Sequence, residues 1–252
     1  MTLQTASKQA HYKVPLSIKW QIQLQGNLNT QYDVDLYIVD LFDTSIESIA
    51  LLKSRNRKVI CYFSAGSHEA WRNDASDFAD SDIGRKLDNW PGERWLDVRS
   101  DTIRRIMMLR LDLAQTKGCD GVDPDNVDGY INSTGFNLTA NDQLMFSRFL
   151  SQEAHARGLV IGLKNNVDHA KKLVDEFDFA VNESCELYDE CDLLQVFIDQ
   201  GKPVLHIEYS PELVKSADIF HAFCRRHELT RFSSLVLPVE LDDSYRLSCQ
   251  DI

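Results

Sequence analysis

The chain alternates short apolar runs with amphipathic segments eight times over 252 residues, and this alternation is the strongest constraint on its fold. The apolar runs read as strands buried on both faces, and several of the segments between them carry apolar residues at helical spacing. Eight such strands in about 250 residues are typical of the (β/α)8 barrel. We therefore predict a single α/β domain with this TIM-barrel fold over residues 14–252, after a polar lead at residues 1–13. A doubly wound open sheet is the alternative, but the sequence has no GxGxxG or P-loop motif.

The predicted strands begin at residue 17 and end at residue 239. They cover residues 17–24, 36–39, 58–63, the start of 119–130, 159–163, 177–181, 203–207 and 234–239. Helices are predicted at residues 44–53, 101–116, 142–157, 169–176, 193–198 and 217–227, with Gly118 and Gly158 ending two of them. Residues 68–100 contain three tryptophans and read as a long loop, of the kind that forms a lid or a binding surface.

Polar residues recur where the predicted strands end. Residues 120–128 contain four carboxylates and an asparagine, which indicates either a site or an Asp-rich solvated turn. The carboxyl ends of barrel strands form the active-site face, so these residues are predicted to meet at the barrel mouth. The strand-end residues are Asp40, Ser64, Asp123, Asp125, Lys164, Asn165, Glu183, Glu208 and Tyr209.

Paired carboxyl groups without a metal or cofactor motif favour acid/base hydrolysis of a glycosidic bond, because that chemistry needs one ionised and one protonated carboxyl. We predict Asp125 and Glu183 as this pair. Asp125, beside Asn126, is expected to stay ionised, whereas burial is expected to keep Glu183 protonated. The alternative for Glu183 is a structural salt bridge with Lys164, and the two roles are compatible.

Six segments together resemble glycoside hydrolase family 114, the endo-α-1,4-polygalactosaminidase family of (β/α)8 barrels. The resemblance runs in unbroken order from about Trp20 to about Glu208 and weakens beyond Tyr209. The segments that carry it are residues 20–24, 61–66, 90–97, 120–130, 162–165 and 177–183.

The resemblance implies an endo-acting hydrolase that cuts α-1,4-linked galactosamine in microbial exopolysaccharide. It places the nucleophile or base at Asp125, with Asp123 as the alternative, and the acid at Glu183. We expect retention of the anomeric configuration, which requires carboxyl groups roughly 5 Å apart. No cofactor and no metal are expected.

Galactosamine is a cation at neutral pH, so we expect carboxylates to bind its ammonium groups and aromatic rings to stack on the sugar. The ammonium-binding carboxylates are predicted to be Asp40, Asp123, Asp128 and Glu208. The full set of predicted substrate-contacting residues is Asp40, Tyr62, Ser64, Asp123, Asn126, Lys164, Asn165, Glu208 and Tyr209.

Two other functions stay open from the sequence. The first is a catalytically silent sugar-binding barrel, which would tolerate loss of Glu183. The second is a lyase or aldolase that uses Lys164 as a Schiff-base nucleophile. Acidic neighbours argue against the second, because they keep a lysine charged.

The net charge of -12 disfavours nucleic acid as a partner, and no apolar run approaches the roughly 20 residues of a membrane helix. We expect a monomer that binds a cationic polysaccharide. Residues 1–13 lack the apolar centre of a secretory signal, so export follows from the resemblance alone.

The six cysteines allow more than one arrangement. Cys61 and Cys119 lie in apolar strands, where free buried thiols are common. Cys185 and Cys191 are similar to a paired-cysteine loop of the family, and the resemblance implies a disulfide there if the protein is exported.

Overall fold

The computed structural model describes residues 12–252, apart from the side chains of residues 227–229. Twelve strands are described in this range. They are β1 (Trp20–Gln23), β2 (Leu36–Asp40), β3 (Lys58–Ser64), β4 (Ser67–Glu69), β5 (Ile83–Lys86), β6 (Glu93–Leu96), β7 (Gly121–Asp125), β8 (Val160–Lys164), β9 (Phe179–Glu183), β10 (Val204–Glu208), β11 (Ser233–Val236) and β12 (Leu247–Ser248).

The main sheet has the strand order β1-β2-β3-β7-β8-β9-β10-β11, and all neighbours in this series are parallel. The sheet curls until β1 and β11 lie side by side. This closure is visible in one buried cluster, where Trp20 and Ile22 of β1 pack with Leu235 of β11. The Trp20 indole Nε1 also donates to the carbonyl of Ser233, 2.9 Å away. The predicted (β/α)8 barrel is confirmed, and β12 is added antiparallel to β11.

Helices cover the outside of the barrel. They are α1 (Ile46–Ser54), α2 (Asp101–Lys117), α3 (Ala140–Ala156), α4 (Ala170–Leu173), α5 (Cys185–Tyr188), α6 (Gln195–Asp199), α7 (Pro211–Lys215) and α8 (Ala217–Thr230). Gly118 ends α2 at a φ of 83°, as its position predicts. Every second residue of a strand points away from the barrel interior. Such residues, for example Val39 and Val122, pack against the helices and form a hydrophobic core between the barrel and the helices.

The prediction of a long loop at residues 68–100 is partly wrong. After β3 the chain forms a small antiparallel sheet, β4-β6-β5, before it enters α2. Its strands have three or four residues each, too short for a period-two pattern to predict. This sheet lies over the carboxyl end of β3, where the amide of Leu96 donates to the carbonyl of Gly66.

All six cysteines form disulfides, so the expectation of free thiols at Cys61 and Cys119 is wrong. Cys61 faces outward from β3, and Cys119 lies in the turn between α2 and β7, where the two Cα atoms are 6.1 Å apart. The expected Cys185–Cys191 disulfide is present. A third disulfide joins Cys224 to Cys249 near the end of the chain.

Most of the predicted polar lead, residues 1–11, lies outside the described residues. Val14 and Ile18 already belong to the barrel interior, with 1% and 2% of their surfaces exposed. Across residues 12–252, none of the helices has the length and apolar character that a bilayer crossing requires.

Candidate active site

Strand alternation points Asp125, Lys164 and Glu183 toward the barrel axis. Successive side chains of a strand face opposite sides of the sheet. Val160 on β8 and Val181 on β9 face the inner core, so Lys164 and Glu183, an even number of residues further on, point inward too. These side chains therefore meet at the carboxyl end of the barrel, as predicted.

A left-handed backbone residue follows each of the three strands that carry the site. Asn126, Asn165 and Ser184 have φ values of 59°, 46° and 62°. Such angles are uncommon for residues other than glycine and cluster at functional sites. Gly66 makes the Asn126 conformation fit, because a Cβ at Gly66 would lie only 1.7 Å from the Asn126 carbonyl oxygen.

The Lys164 ammonium lies between the two carboxylates. Its Nζ is 3.2 Å from Asp125 Oδ2 and 3.4 Å from Glu183 Oε2, and only 1% of the side chain is exposed. Burial lowers the pKa of Lys164, but Asp125, Glu183 and Asp123 outweigh this effect and bring the pKa above its ordinary value. This shift favours the charged ammonium over the neutral amine that a Schiff-base nucleophile needs, so the lyase or aldolase alternative is not favoured.

Asp125 accepts hydrogen bonds on both oxygens. The Tyr62 hydroxyl donates to Oδ2 at 2.9 Å beside Lys164, and the backbone amide of Asn126 donates to Oδ1 at 2.7 Å. Burial and the charge of Asp125 raise the pKa of Tyr62 well above its ordinary value, so Tyr62 stays a neutral donor. These three donors fix the orientation of the Asp125 carboxylate, and its catalytic role stays a prediction.

Glu183 also accepts from three donors, and this differs from the expected burial in apolar surroundings. Tyr209 donates to Oε1, Asn165 Nδ2 donates to Oε2 at 3.1 Å, and Lys164 lies beside Oε2. A quarter of the Glu183 side chain is exposed. The expected salt bridge between Glu183 and Lys164 is thus formed.

Asp123 lies deeper in the barrel, one inward position before Asp125, and is fully buried. Neither of its carboxyl oxygens has a hydrogen-bond partner among the described residues. Burial raises its pKa to about 7, with Lys164 opposing the shift and Asp125 and Glu183 adding to it. Asp123 therefore lies below the cleft surface, and its binding of an ammonium group stays a prediction.

A cleft of about 600 Å³ opens above these side chains. Six of the predicted site residues line it, namely Tyr62, Asp125, Asn126, Lys164, Asn165 and Glu183. Tyr209 does not line the cleft but supports Glu183 from behind through its hydroxyl.

Asp40 and Ser64 have structural partners instead of free contact with the cleft. Asp40 forms a buried ion pair with Arg72, with Oδ2 2.6 Å from Nη2, and accepts from the backbone amides of Phe42 and Asp43. The Ser64 hydroxyl bonds to Ser67 and accepts from Asn126 Nδ2 at 2.9 Å. Asp40 and Ser64 are thus held by protein partners, and their predicted substrate contacts stay predictions.

The prediction for Glu208 is contradicted. His206 and Glu208 have the opposite parity to Ile207 and Tyr209, so they point outward from β10. Glu208 Oε1 lies 3.1 Å from His206 Nε2 and accepts from the backbone amide of Glu186. Glu208 therefore fixes the loop after β9 and does not face the cleft.

Two further carboxyl groups, Asp128 and Glu93, line the cleft. Asp128 was expected near the mouth and does line the cleft, where burial and Asp125 raise its pKa to about 6. Glu93 was not predicted, and burial raises its pKa to about 7, with Glu69 and Asp125 adding to the shift and a bond from Ser67 opposing it. The sequence gives one indication of a role for Glu93, which is its position among Trp90, Pro91 and Trp95 in the aromatic-rich segment. Its position at the cleft depends on the small antiparallel sheet, which the sequence did not predict.

The potential metal-ligand grouping in the described part of the chain is Cys185, Cys191 and His206. The two cysteine sulfurs are bonded to each other, so they are not available as thiolates.

Two carboxylates facing one cleft at the carboxyl end of a (β/α)8 barrel fit the active-site arrangement of a glycoside hydrolase. The model of glycoside hydrolase family GH114 matches residues 1–252. The chain belongs to this family.

Solved structures agree with this assignment. Ega3 of Aspergillus fumigatus, in a complex with galactosamine, is 45% identical at a TM-score of 0.90, over 96% of this chain and 98% of that one. The glycoside hydrolase domain of PelA from Pseudomonas aeruginosa is 15% identical at a TM-score of 0.71, over 91% and 98% of the two chains, and supports the fold. A search of curated proteins finds no match.

Proposed function

We propose that the protein is an endo-α-1,4-polygalactosaminidase that hydrolyses galactosamine-containing exopolysaccharide. The main observation behind the proposal is that Asp125 and Glu183 both contact the Lys164 ammonium group at the floor of an open cleft. The similarity to Ega3, whose structure contains galactosamine, supports the choice of sugar. An open cleft also suits an endo-acting enzyme, because a polymer can pass through it.

In the proposed mechanism Asp125 is the nucleophile. Three donors fix its carboxylate in position, and it attacks the anomeric carbon to form a covalent glycosyl intermediate. Glu183 protonates the leaving oxygen and then removes a proton from the attacking water. A tyrosine hydroxyl both donates and accepts, so Tyr209 can bond to either protonation state of Glu183.

We propose retention of configuration. Asp125 Oδ2 and Glu183 Oε2 are 3.2 Å and 3.4 Å from the same nitrogen, so their separation cannot exceed the sum of these distances. That limit lies at the bottom of the roughly 6.5–9.5 Å range of inverting enzymes and includes the roughly 5–5.5 Å of retaining ones.

The test is release of reducing ends from deacetylated α-1,4-galactosaminan by the wild type, Asp125→Asn and Glu183→Gln. We expect the wild type to cut the polymer and each variant to lose about 10²–10⁴-fold in kcat/KM. Glu212→Gln, an exposed carboxyl on α7, is the matched control and should keep wild-type activity. Binding of the polymer without release of ends would support the silent sugar-binding barrel instead.

We further propose that the protein is exported and that its domain begins near Val14. Three disulfides support export, because such bonds persist in oxidising compartments. The burial of Val14 in the barrel interior supports the domain boundary.

A further inference from the structure

The active-site cleft continues toward β2 and the small antiparallel sheet. A second cleft of about 400 Å³ shares Tyr62, Trp90 and Glu93 with the first, so the two form one groove. We call the second part the distal cleft. Its own lining residues include Asp43, Glu69, Trp71, Arg72 and Glu240.

The distal cleft has an excess of acid. Arg72 lies in its wall, but the Arg72 guanidinium is already bonded to Asp40, Glu69 and Asp43. Glu93 and Glu240 form no ion pair with a described residue, so a cationic ligand can pair with them, and its charge would favour the ionised form of Glu93. A groove with this imbalance concentrates cations.

Glu93 is the carboxyl group at the junction of the two parts. Only 8% of its surface is exposed, and its Oε2 accepts from the Ser67 hydroxyl at 2.5 Å. Its Oε1 accepts no hydrogen bond from the described residues, although Glu93 lines both clefts. Oε1 is therefore open to the groove and free to accept a hydrogen bond from a ligand.

Tryptophan rings form the apolar part of the distal cleft. Trp71 and Trp90 are 53% and 45% exposed, although both line the cleft. Trp71 is held against the turn at Gly92, where a Cβ atom would lie 2.9 Å from its ring. Exposed rings that are fixed in place can stack on the apolar face of a sugar.

We propose that the distal cleft binds a further sugar unit of the polymer in its ammonium form, with Glu93 as the acceptor and Trp71 and Trp90 as stacking surfaces. This inference rests on the proposed function and adds that the enzyme recognises deacetylation at a unit beyond the cleavage point. An N-acetyl group at that unit carries no charge, so Glu93 gains no ion pair from it.

The test uses α-1,4-galactosamine oligomers of increasing length and their fully N-acetylated counterparts. We expect kcat/KM of the wild type to rise once a deacetylated oligomer is long enough to reach the distal cleft. Glu93→Gln should lose this gain, about 10–100-fold, because it removes a charge-assisted hydrogen bond. On short oligomers and on N-acetylated ones the loss caused by Glu93→Gln should be smaller than on long deacetylated ones.

Trp71→Ala separates stacking from charge. Trp71 is half exposed, so its removal spares the core, and it should reduce kcat/KM on long oligomers of both kinds by a similar factor. Glu212→Gln is again the matched control for Glu93→Gln. Equal activity of Glu93→Gln and Glu212→Gln on long deacetylated oligomers would overturn the inference.

Calorimetric titration of long deacetylated oligomers into the wild type and Glu93→Gln separates the two proposals. If the wild type cuts no oligomer, the proposed function fails. Weaker binding to Glu93→Gln would then still support the distal cleft as a cationic-sugar site, and equal affinity would reject it.

Discussion

Two buried charge clusters lie at the barrel mouth, and they differ in how fully their acids are neutralised. In the first, Arg72 and Arg110 together contact Asp40, Asp43, Glu69 and Asp74. In the second, Lys164 alone faces Asp123, Asp125 and Glu183. The first cluster connects β2, the small antiparallel sheet and α2 and forms a wall of the distal cleft, whereas the second lies at the floor of the active-site cleft.

The chemistry of the two cations matches this division. Each guanidinium forms several hydrogen bonds in fixed directions, so Arg72 bonds to both oxygens of Asp40 while it also holds Glu69. An ammonium group is a compact charge, and Lys164 leaves its carboxylates with oxygens that a substrate can reach. The comparison teaches that arginines with many directed bonds hold buried carboxylates in place, whereas a single lysine leaves Asp125 and Glu183 partly exposed to the active-site cleft.

Lys164→Met should give the largest effect on activity. It removes the cation that contacts Asp125 and Glu183 among the described residues, so one carboxyl should take up a proton and the pair should lose its alignment. We expect a loss of about 10²–10⁴-fold in kcat/KM on deacetylated polymer. Lys171→Met, at an exposed position on α4, is the matched control. Retention of most activity by Lys164→Met would remove the distinction between the clusters.

Arg72→Met should give the largest effect on stability. It leaves Asp40 and Glu69 without their main cation, and their side chains are only 4% and 3% exposed. We expect the free energy of unfolding to fall by about 3–5 kcal/mol at neutral pH, measured by chemical denaturation. Lys164→Met should cost less, because Asp125 and Glu183 are 17% and 25% exposed and reach water through the cleft.

Asp43→Asn is the control within the same cluster. The Asp43 side chain is 75% exposed, so loss of its bond to Arg72 should cost no more than about 1 kcal/mol. An equal cost for Asp43→Asn and Arg72→Met would show that burial does not set the strength of this cluster.

Asp123→Asn should change the pH dependence of stability by a smaller amount. The pKa of Asp123 is raised to about 7 in the folded protein, above the ordinary value of about 3.9 in the unfolded chain. This carboxyl therefore stabilises the fold most at low pH, and that contribution is lost as the pH rises through about 7. Between pH 5 and 8 the wild type should lose about 2–3 kcal/mol relative to Asp123→Asn.

Denaturation curves at several pH values check this expectation. Asp192→Asn, at an exposed position in the loop after β9, should follow the wild type at each pH. Parallel pH profiles for the wild type and Asp123→Asn would mean that Lys164 fully compensates the buried carboxylate.

Much of the site could be predicted because parallel strands bring their carboxyl ends together. The location of Asp125, Lys164 and Glu183 at the barrel mouth follows from their positions at strand ends, and no knowledge of their bonding partners is needed. The wrong predictions concern two things: which side of the sheet a side chain points to, and which residues far away in the sequence it contacts. Adjacent residues Glu208 and Tyr209 both follow a predicted strand, yet strand alternation sends one outward and the other to Glu183.

Sequence by itself determined the eight-strand barrel and the three central side chains of the site, because both depend on local periodicity and on strand order. Tertiary structure alone decided the disulfide between Cys61 and Cys119, 58 residues apart, and the pairing of Asp40 with Arg72. It also decided the place of Glu93, which the small antiparallel sheet carries to the mouth. These contacts join segments that lie far apart in the chain, so the spacing of apolar and polar residues within one segment does not predict them.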